Sequence, residues 1–595
     1  MNIIKIIITA LFCTFLVPSL IANDKAESIK ELPDRKPSDS NLFRKVNPEK
    51  SGISLILPID KSHPLKRIYV SAFACGGASS GDINNDGLTD VFIANGPGPN
   101  KIYINKGNWI FEDNTIKANL TGGQNWTAGA PLVDIDGDGD LDIYACNYGT
   151  PNQLFINDGK GLFVDKAQQF GLDINGAILN AAFADYDNDG DLDAYLLGHR
   201  FYRNGGKPEK PPTVLKNGTY QVLPNFSKYF QVNLNSTNGF KLDTAGSRDY
   251  LMINDNGVFR DVTVEAGINS KPWQGNSVTW WDFNNDGHQD IYIANDFEGQ
   301  DFLYRNNGNG TFSDITKQYL PHVPWFSMGA DSADINNDGL LDLFVVDMAG
   351  TTHYKSKTSM GTMGANNQFM LTADPPQHMR NCMFVNTGKA NRFLDTAFLS
   401  KLSSTDWSWS VKLSDFDEDG LVDAFVSNGI SRNFNNSDNP ITKEELIEKT
   451  EWSIYENLPS RPEENLCFKN MGDLKFKETS KLWGLDELSM AYGASKADLD
   501  SDGDLDLIIT NLDKPVSVYE NLANGNRITL RLKSKTKNSI AIGARVKLKT
   551  KNGIQIRENH TQRGFSSTDD NLIHFGLGDT TKVDFLEIYW PNGSI

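Results

Sequence analysis

The chain predicts an all-β fold: a seven-bladed β-propeller with a loop hairpin in every blade, followed by a small C-terminal β-domain. Three observations carry this. A nine-residue pattern, Asp-x-Asp/Asn-x-Asp-Gly-x-x-Asp, is written seven times, at 82–90, 134–142, 185–193, 282–290, 334–342, 415–423 and 498–506. Short β-branched and aromatic runs flank the copies, as strands bounded by turn residues do. Where nothing intervenes, consecutive copies start 51 or 52 residues apart, a period that suits four strands per repeat.

The elements follow in order. Residues 1–22 read as a secretory leader: Lys5 supplies charge, 7–20 is apolar, and Ala22 is a small residue near a cut. The apolar stretch is short for a membrane span, so none is expected after leader removal; an uncleaved anchor is the alternative. Cys13 follows residues too bulky for a lipoprotein site. Residues 23–59 read as a linker, its first half rich in Lys, Asp, Glu, Ser and Pro. Residues 60–525 hold the blades. Each has a small-residue strand before the loop, such as 72–77 or 326–330, and an apolar strand after it, such as Val91-Phe92-Ile93. A third strand ends in Asn (Asn105, Asn157, Asn254, Asn306, Asn386, Asn470, Asn521), and a fourth often follows a Gly turn. Longer intervals of 97, 81 and 83 residues predict insertions near 198–248, 348–380 and 430–464, the last with helical periodicity over 441–452. A closed ring needs no long exposed sheet edge. Residues 526–595 lack the Asp loop and read as the small β-domain.

The loop pattern suits a hard cation. Calcium takes about six to eight oxygens in a flexible shell. Side chains at positions 1, 3 and 5 converge if the chain curls, Gly at 6 permits the turn, a carbonyl at 7 adds a ligand, and Asp at 9 closes the shell. The candidate ligands are Asp82, Asn84, Asp86 and Asp90; Asp134, Asp136, Asp138 and Asp142; Asp185, Asp187, Asp189 and Asp193; Asp282, Asn284, Asp286 and Asp290; Asp334, Asn336, Asp338 and Asp342; Asp415, Asp417, Asp419 and Asp423; Asp498, Asp500, Asp502 and Asp506. Up to seven Ca²⁺ are therefore expected. The start resembles an EF-hand, but closure falls at 9 rather than 12 and the flanks are strands.

The net charge is −19, and the candidate ligand positions of the loops hold 25 of the 76 Asp and Glu. The acidity is thus mostly a metal requirement. Nucleic acid is excluded as a partner, since phosphate binding needs clustered Lys and Arg. Cys75, Cys146, Cys382 and Cys467 sit in strand-like settings with no zinc spacing and read as small buried hydrophobes; a disulfide stays open. The eight His are scattered, and no nucleophile elbow or P-loop occurs, so no catalytic residue is assigned. Glu558, Arg563 and His574 form the one polar cluster of interest in the tail.

The Asp loops set in these blades resemble FG-GAP/VCBS repeats of the integrin-α type, over roughly 65–525. That resemblance implies a calcium loop in the hairpin between the first two strands of each blade. The tail, with Gly564-Phe565, Ile573-His574-Phe575-Gly576 and Trp590-Pro591-Asn592-Gly593, resembles the ASPIC/UnbV domain of secreted acidic proteins akin to the cartilage acidic protein family. Relatives run on past this motif, so the chain reads as a fragment. The expected function is a secreted, periplasmic or cell-surface calcium-binding scaffold for adhesion to an extracellular glycan or protein. The alternative is a calcium-dependent polysaccharide lyase, with His353, Tyr354, Lys355, His378 and Arg380 of the second insertion as its cleft. Met360, Met363, Met370, Met379 and Met383 would instead give a binding surface.

Overall fold

The computed structural model describes residues 6–11, 28–31, 41–120, 123, 125–203, 208, 210–233, 241–297, 299–359, 373–389, 392–438 and 451–595. Seven antiparallel sheets of one plan occur among them. In the first, Ala78–Gly81, Asp90–Ile93, Lys101–Asn105 and Phe111–Asp113 follow one another from inside to outside. The register sets Ser80 against Val91, Phe92 against Ile102 and Ile104 against Glu112. The next five sheets repeat this order, the third gaining an extra inner strand, Tyr148–Pro151. Alternate side chains of the two middle strands face the neighbouring sheet on either side, so apolar runs such as Asp290–Asn295 are buried throughout.

The inner strands lie side by side around an axis. Gly77 N donates to Ala128 O and Gly129 N to Leu179 O, each at 2.9 Å. The circle closes where Ser80 Oγ meets Ser495 Oγ at 2.7 Å. The chain is an all-β propeller.

The seventh sheet corrects the linker reading. Its strands Ala491–Ala497, Asp506–Asn511 and Ser517–Asn521 take their outer partner from Phe43–Lys45, with Phe43 opposite Asn521. Bridges from Ile56 to Pro515 and from Leu57 to Leu512 hold the following residues to the same blade. Phe43 buries against Phe416 and Trp483 at ring distances of 5.9 and 6.4 Å. The outer strand has only one covered face, so three residues with one buried aromatic suffice, a signal too short to separate from a polar linker.

The insertions fall where expected. The first forms two hairpins, Thr213–Lys216 with Thr219–Val222 and Phe230–Asn233 with Lys241–Thr244. The second includes the helix His353–Thr358. Of the helix predicted over 441–452, only its end lies among the described residues, in the helix Glu451–Tyr455. Cys75, Cys146, Cys382 and Cys467 are buried free thiols. No helix among the described residues is long and apolar enough to cross a membrane.

After the ring, Asn526–Lys533 pairs with Ile573–Gly578, and Arg545–Thr550 lies between Gly553–Glu558 and Val583–Tyr589. Leu530, Val546, Leu548, Phe575 and Trp590 form their core. Ile6–Leu11, within the stretch read as a leader, runs parallel to Asn526–Lys533. This small domain does not stand apart. Its segment 559–572 enters the propeller axis, where Thr568 bridges to Ser79 and Gly564 to Ala330. A Cβ on Gly77 would lie 1.5 Å from Ser566 O, so the small inner-strand residues make room for this plug. At its tip Phe565 meets Trp409 at 5.0 Å, and Trp409 stacks on Tyr492 at 4.4 Å.

Candidate metal centres

All seven Asp patterns sit in the hairpin between the first and second strands of a blade, at one end of the propeller. Two positions must reach positive φ. The Gly at position 6 does so in every loop, and so does position 4: Asn85, Gly137, Asn188, Asn285, Asn337, Glu418 and Ser501 lie between 55° and 77°. Asn and Gly tolerate this region best, and they hold five of the seven places. The sequence reading passed over this signal.

The Asp at position 9 has a structural role in each loop. Asp90 Oδ2 accepts from Ile83 N at 2.9 Å, and its Oδ1 accepts from Asn105 N at 2.8 Å. The same bond from the Asn that ends the third strand recurs at Asp142, Asp193, Asp290, Asp342, Asp423 and Asp506. That Asn then ties blades together. Asn157 Nδ2 donates to Ile83 O in the preceding blade at 2.8 Å. Asn306, Asn386, Asn470 and Asn521 do likewise to Tyr186, Phe283, Ile335 and Phe416. The sequence marked these Asn only as strand ends.

Carboxylates at positions 1, 3 and 9 converge in the four loops with Asp at 3. The oxygens of Asp134, Asp136 and Asp142 lie within 4.8 Å of one another, as do those of Asp185, Asp187 and Asp193, of Asp415, Asp417 and Asp423, and of Asp498, Asp500 and Asp506. Position 5 stands outside these triads. Its carboxylate accepts the N–H of position 7, as Asp86 Oδ1 does from Leu88 N at 3.0 Å. Asn84, Asn284 and Asn336 replace the third carboxylate in the other loops, and each amide donates to the Asp at 5.

The electrostatics call for a positive charge. Burial pushes Asp142 up to about 8, and Asp90, Asp185, Asp334 and Asp498 to about 7, with neighbouring carboxylates adding to the shift. Asp136 Oδ1, Asp185 Oδ1 and Asp417 Oδ1 are buried with no hydrogen-bond partner. An ionised oxygen left thus is costly, whereas a hard cation among all-oxygen donors would use it. These residues fit calcium. The sixth loop differs from the rest: Lys469 Nζ contacts Asp417 and lies 2.8 Å from Asp419 Oδ2. These carboxylates more than offset its burial and hold the ammonium pKa above its ordinary value.

The tail domain covers this end of the ring. Arg545 Nη2 donates to Asp282 O at 2.5 Å, Arg527 Nη2 to Asp502 O at 2.5 Å, and Ser539 Oγ to Asp134. Lys537 lies 3.5 Å from Asp191. Arg531 bonds Asp570 at 2.6 Å and reaches Thr89 of the first loop. Glu558, Arg563 and His574, singled out in the sequence, line one cavity of about 60 Å³ between tail and ring. Their charges are matched: Arg563 faces Asp331 at 3.3 Å. Burial pushes Glu558 up, but His560 and Arg545 outweigh it and hold it at about 2.

The residues proposed for a lyase cleft are engaged separately. Lys355 bridges Asp406 and Glu463 at 2.8 and 2.6 Å, Tyr354 donates to Asp438 at 2.8 Å, and Arg380 bonds Asp395, which also holds His322. His378 packs on His322 at 5.0 Å, and His353 is exposed. Of the Met set, Met383 is core, Met379 is partly buried against it, and Met360, Met363 and Met370 lie outside the described residues.

Comparison with known proteins bears on both parts of the chain. Residues 534–595 match ASPIC and UnbV, and 82–145, 134–196 and 282–345 match the FG-GAP-like repeat. Cartilage acidic protein 1 of Xenopus tropicalis is 25% identical over 555 residues, spanning 91% of this chain and 73% of that protein. The Homo sapiens protein of the same name is 25% identical over 559 residues, 91% and 71% of the two chains. Among solved structures, YCF48 bound to D1 peptide aligns at a TM-score of 0.37 and 7% identity, covering 82% of this chain and 97% of that one. The BP39L lectin from Burkholderia pseudomallei aligns at 0.38 and 9%, covering 76% and 98%.

Proposed function

For a chain that carries FG-GAP-like repeats and an ASPIC/UnbV region, homologous to cartilage acidic protein 1 over 91% of its length, we propose the role of a secreted, calcium-loaded binding scaffold. Its partner is an extracellular glycan or protein. The observation that carries the calcium assignment is the set of buried, unpartnered carboxylate oxygens in the loop triads. Calcium supplies the charge that lets these Asp stay ionised inside the ring. Each ion binds the closed loop and not the open chain, so it stabilises the fold by about 2.7 kcal/mol per site at 100 times its Kd. Such weak oxygen sites fill where calcium is abundant, which favours an exported protein.

The ions serve the fold rather than a reaction, because tail residues cover the loop end. Partner binding then falls to the opposite end and the outer faces of the blades. Metal analysis of the purified protein, with melting in calcium and in EDTA, tests this reading. Bound calcium and a lower melt in EDTA are expected; a calcium-free protein with an unchanged melt overturns it.

A further inference from the structure

The outer half of the fifth blade brings together three donors of different kinds. His322 Nε2, Cys382 Sγ and a carboxylate oxygen of Asp395 lie within 4.8 Å of one another. Each comes from a different element. Cys382 opens the third strand, Cys382–Asn386, Asp395 ends the fourth, Phe393–Asp395, and His322 precedes the short strand Val323–Pro324. The other blades show what is unusual here. Lys101 and Gln153 also open third strands, and each bonds the Asp that ends the fourth: Lys101 Nζ reaches Asp113 at 2.7 Å and Gln153 Nε2 reaches Asp165 at 3.1 Å. In the fifth blade a sulfur holds that place, and an imidazole is added from outside the blade. Their places in the sequence form no metal motif, so only folding assembles them.

Arg380 supplies the positive charge. Its Nη1 contacts Asp395, and its Nη2 lies 2.8 Å from His322 Nε2. The same Nε2 lies 2.9 Å from Asp395 Oδ2. These contacts conflict. A guanidinium only donates and an ionised carboxylate only accepts, while Nε2 either carries a hydrogen or offers a lone pair. In either tautomer one of the two is left unsatisfied. A cation that takes the Nε2 lone pair and the Asp395 oxygen together removes the conflict. Imidazole, thiolate and carboxylate in one set suit zinc, which holds such donors at about 2.0–2.3 Å. The soft sulfur separates this set from the all-oxygen Asp loops, which suit calcium. The place also has a way in. The side chains of His322 and Arg380 are 12% and 19% exposed. Arg380 lies over the ring of the exposed Phe398 at 4.8 Å, so its guanidinium has a surface to retreat along, and its departure opens the space beside Nε2 and Oδ2.

We propose that His322, Cys382 and Asp395 bind one divalent ion of the zinc class, with Arg380 as the cation that the metal displaces and water in the fourth position. Cys382 binds as the thiolate and releases its proton to solvent as the ion enters. The site goes beyond the calcium scaffold and does not depend on it.

The test uses the full, reduced chain with calcium saturating, so that the Asp loops are filled. Cobalt(II) is titrated while the thiolate-to-cobalt charge-transfer band is read, and zinc is then added to displace it. One cobalt per chain with that band, lost to one equivalent of zinc, is expected. Cys382→Ser should abolish the band. His322→Gln should weaken zinc by about 100-fold or more, since even loss of an outer partner of a ligand costs 10–100-fold. Arg380→Gln should tighten zinc by about tenfold, as a competing charge is removed. Cys467→Ser, which alters a buried thiol of the next blade, should leave the band intact. The melt in calcium shows that each variant is folded; where Cys382→Ser does not fold, the partly exposed His322 decides. No charge-transfer band in the parent chain, a band that survives Cys382→Ser or is lost in Cys467→Ser, or zinc affinity untouched by His322→Gln overturns the proposal.

Discussion

Asn105 donates its side-chain N–H to the carbonyl of Leu499 at 2.8 Å, across 394 residues of chain. With the Ser80–Ser495 contact it links the first blade to the seventh, and it is made by the same residue type and in the same direction as five other joints around the ring. The Asn105 backbone N–H meanwhile holds Asp90, so one residue ties loop, blade and ring closure together.

Asn105→Leu should therefore destabilise the protein by about 1–3 kcal/mol, since the Leu499 carbonyl loses its buried partner. Calorimetric melting reads this, and hydrogen exchange should show the loss of protection on both sides of the joint. Asn254 bonds only its own blade through Leu192 O, so Asn254→Leu should leave exchange in neighbouring blades unchanged.

Lys469 occupies with its ammonium the carboxylates that a metal would use in the sixth loop. Lys469→Met should raise the calcium affinity of that loop, seen as an added ion per chain at limiting free calcium. The same substitution at a residue remote from the loops should leave the count unchanged.

Arg527 and Glu418 are fully buried together, 2.8 Å apart. Arg527→Leu leaves the buried Glu418 carboxylate with only His574 beside it, 3.9 Å away, and should cost about 3–5 kcal/mol. The double variant Arg527→Leu/Glu418→Leu should recover much of that. A melting series over the two singles and the double measures the coupling, and limited proteolysis of the tail should follow the same ranking.

His199 is buried and neutral, its Nδ1 3.1 Å from Gly275 O, and burial lowers its pKa to about 3. The unfolded chain protonates this group near its usual value of about 6.5, the folded one only near 3. The His199 contribution is thus complete above pH 6.5 and is lost as pH falls from there towards 3. His199→Gln should flatten the fall in melting temperature over that window relative to the parent, with calcium held saturating.

The repeat was legible because each loop needs the same residue types at the same places. Asp at 1 and 9, Gly at 6 and Asn at the third strand's end are each demanded by a bond or a backbone angle. Position 4 was equally constrained but hidden, since Asn, Gly, Ser and Glu all occupy it. What the chain could not announce were relations between distant segments. Phe43–Lys45 looks like linker because only one of its faces is covered. Arg527, Arg531 and Arg545 look like ordinary strand residues because their partners lie far along the chain: propeller loops for Arg527 and Arg545, and Asp570 with Thr89 for Arg531. The tail read correctly as a small β-domain, yet nothing local in 559–572 marks it as the plug of the axis.

The strand at Phe43–Lys45 also orders the life of the chain. It leaves the ribosome early, and its partner Ser517–Asn521 appears more than 470 residues later. Until then the last sheet has no outer edge and the circle cannot shut, so six blades must wait with one open flank. Closing so long a loop costs entropy that grows only slowly with length, but the open edge is an invitation to pair with another chain. A molecule built this way gains from holding its final fold until the whole chain has emerged.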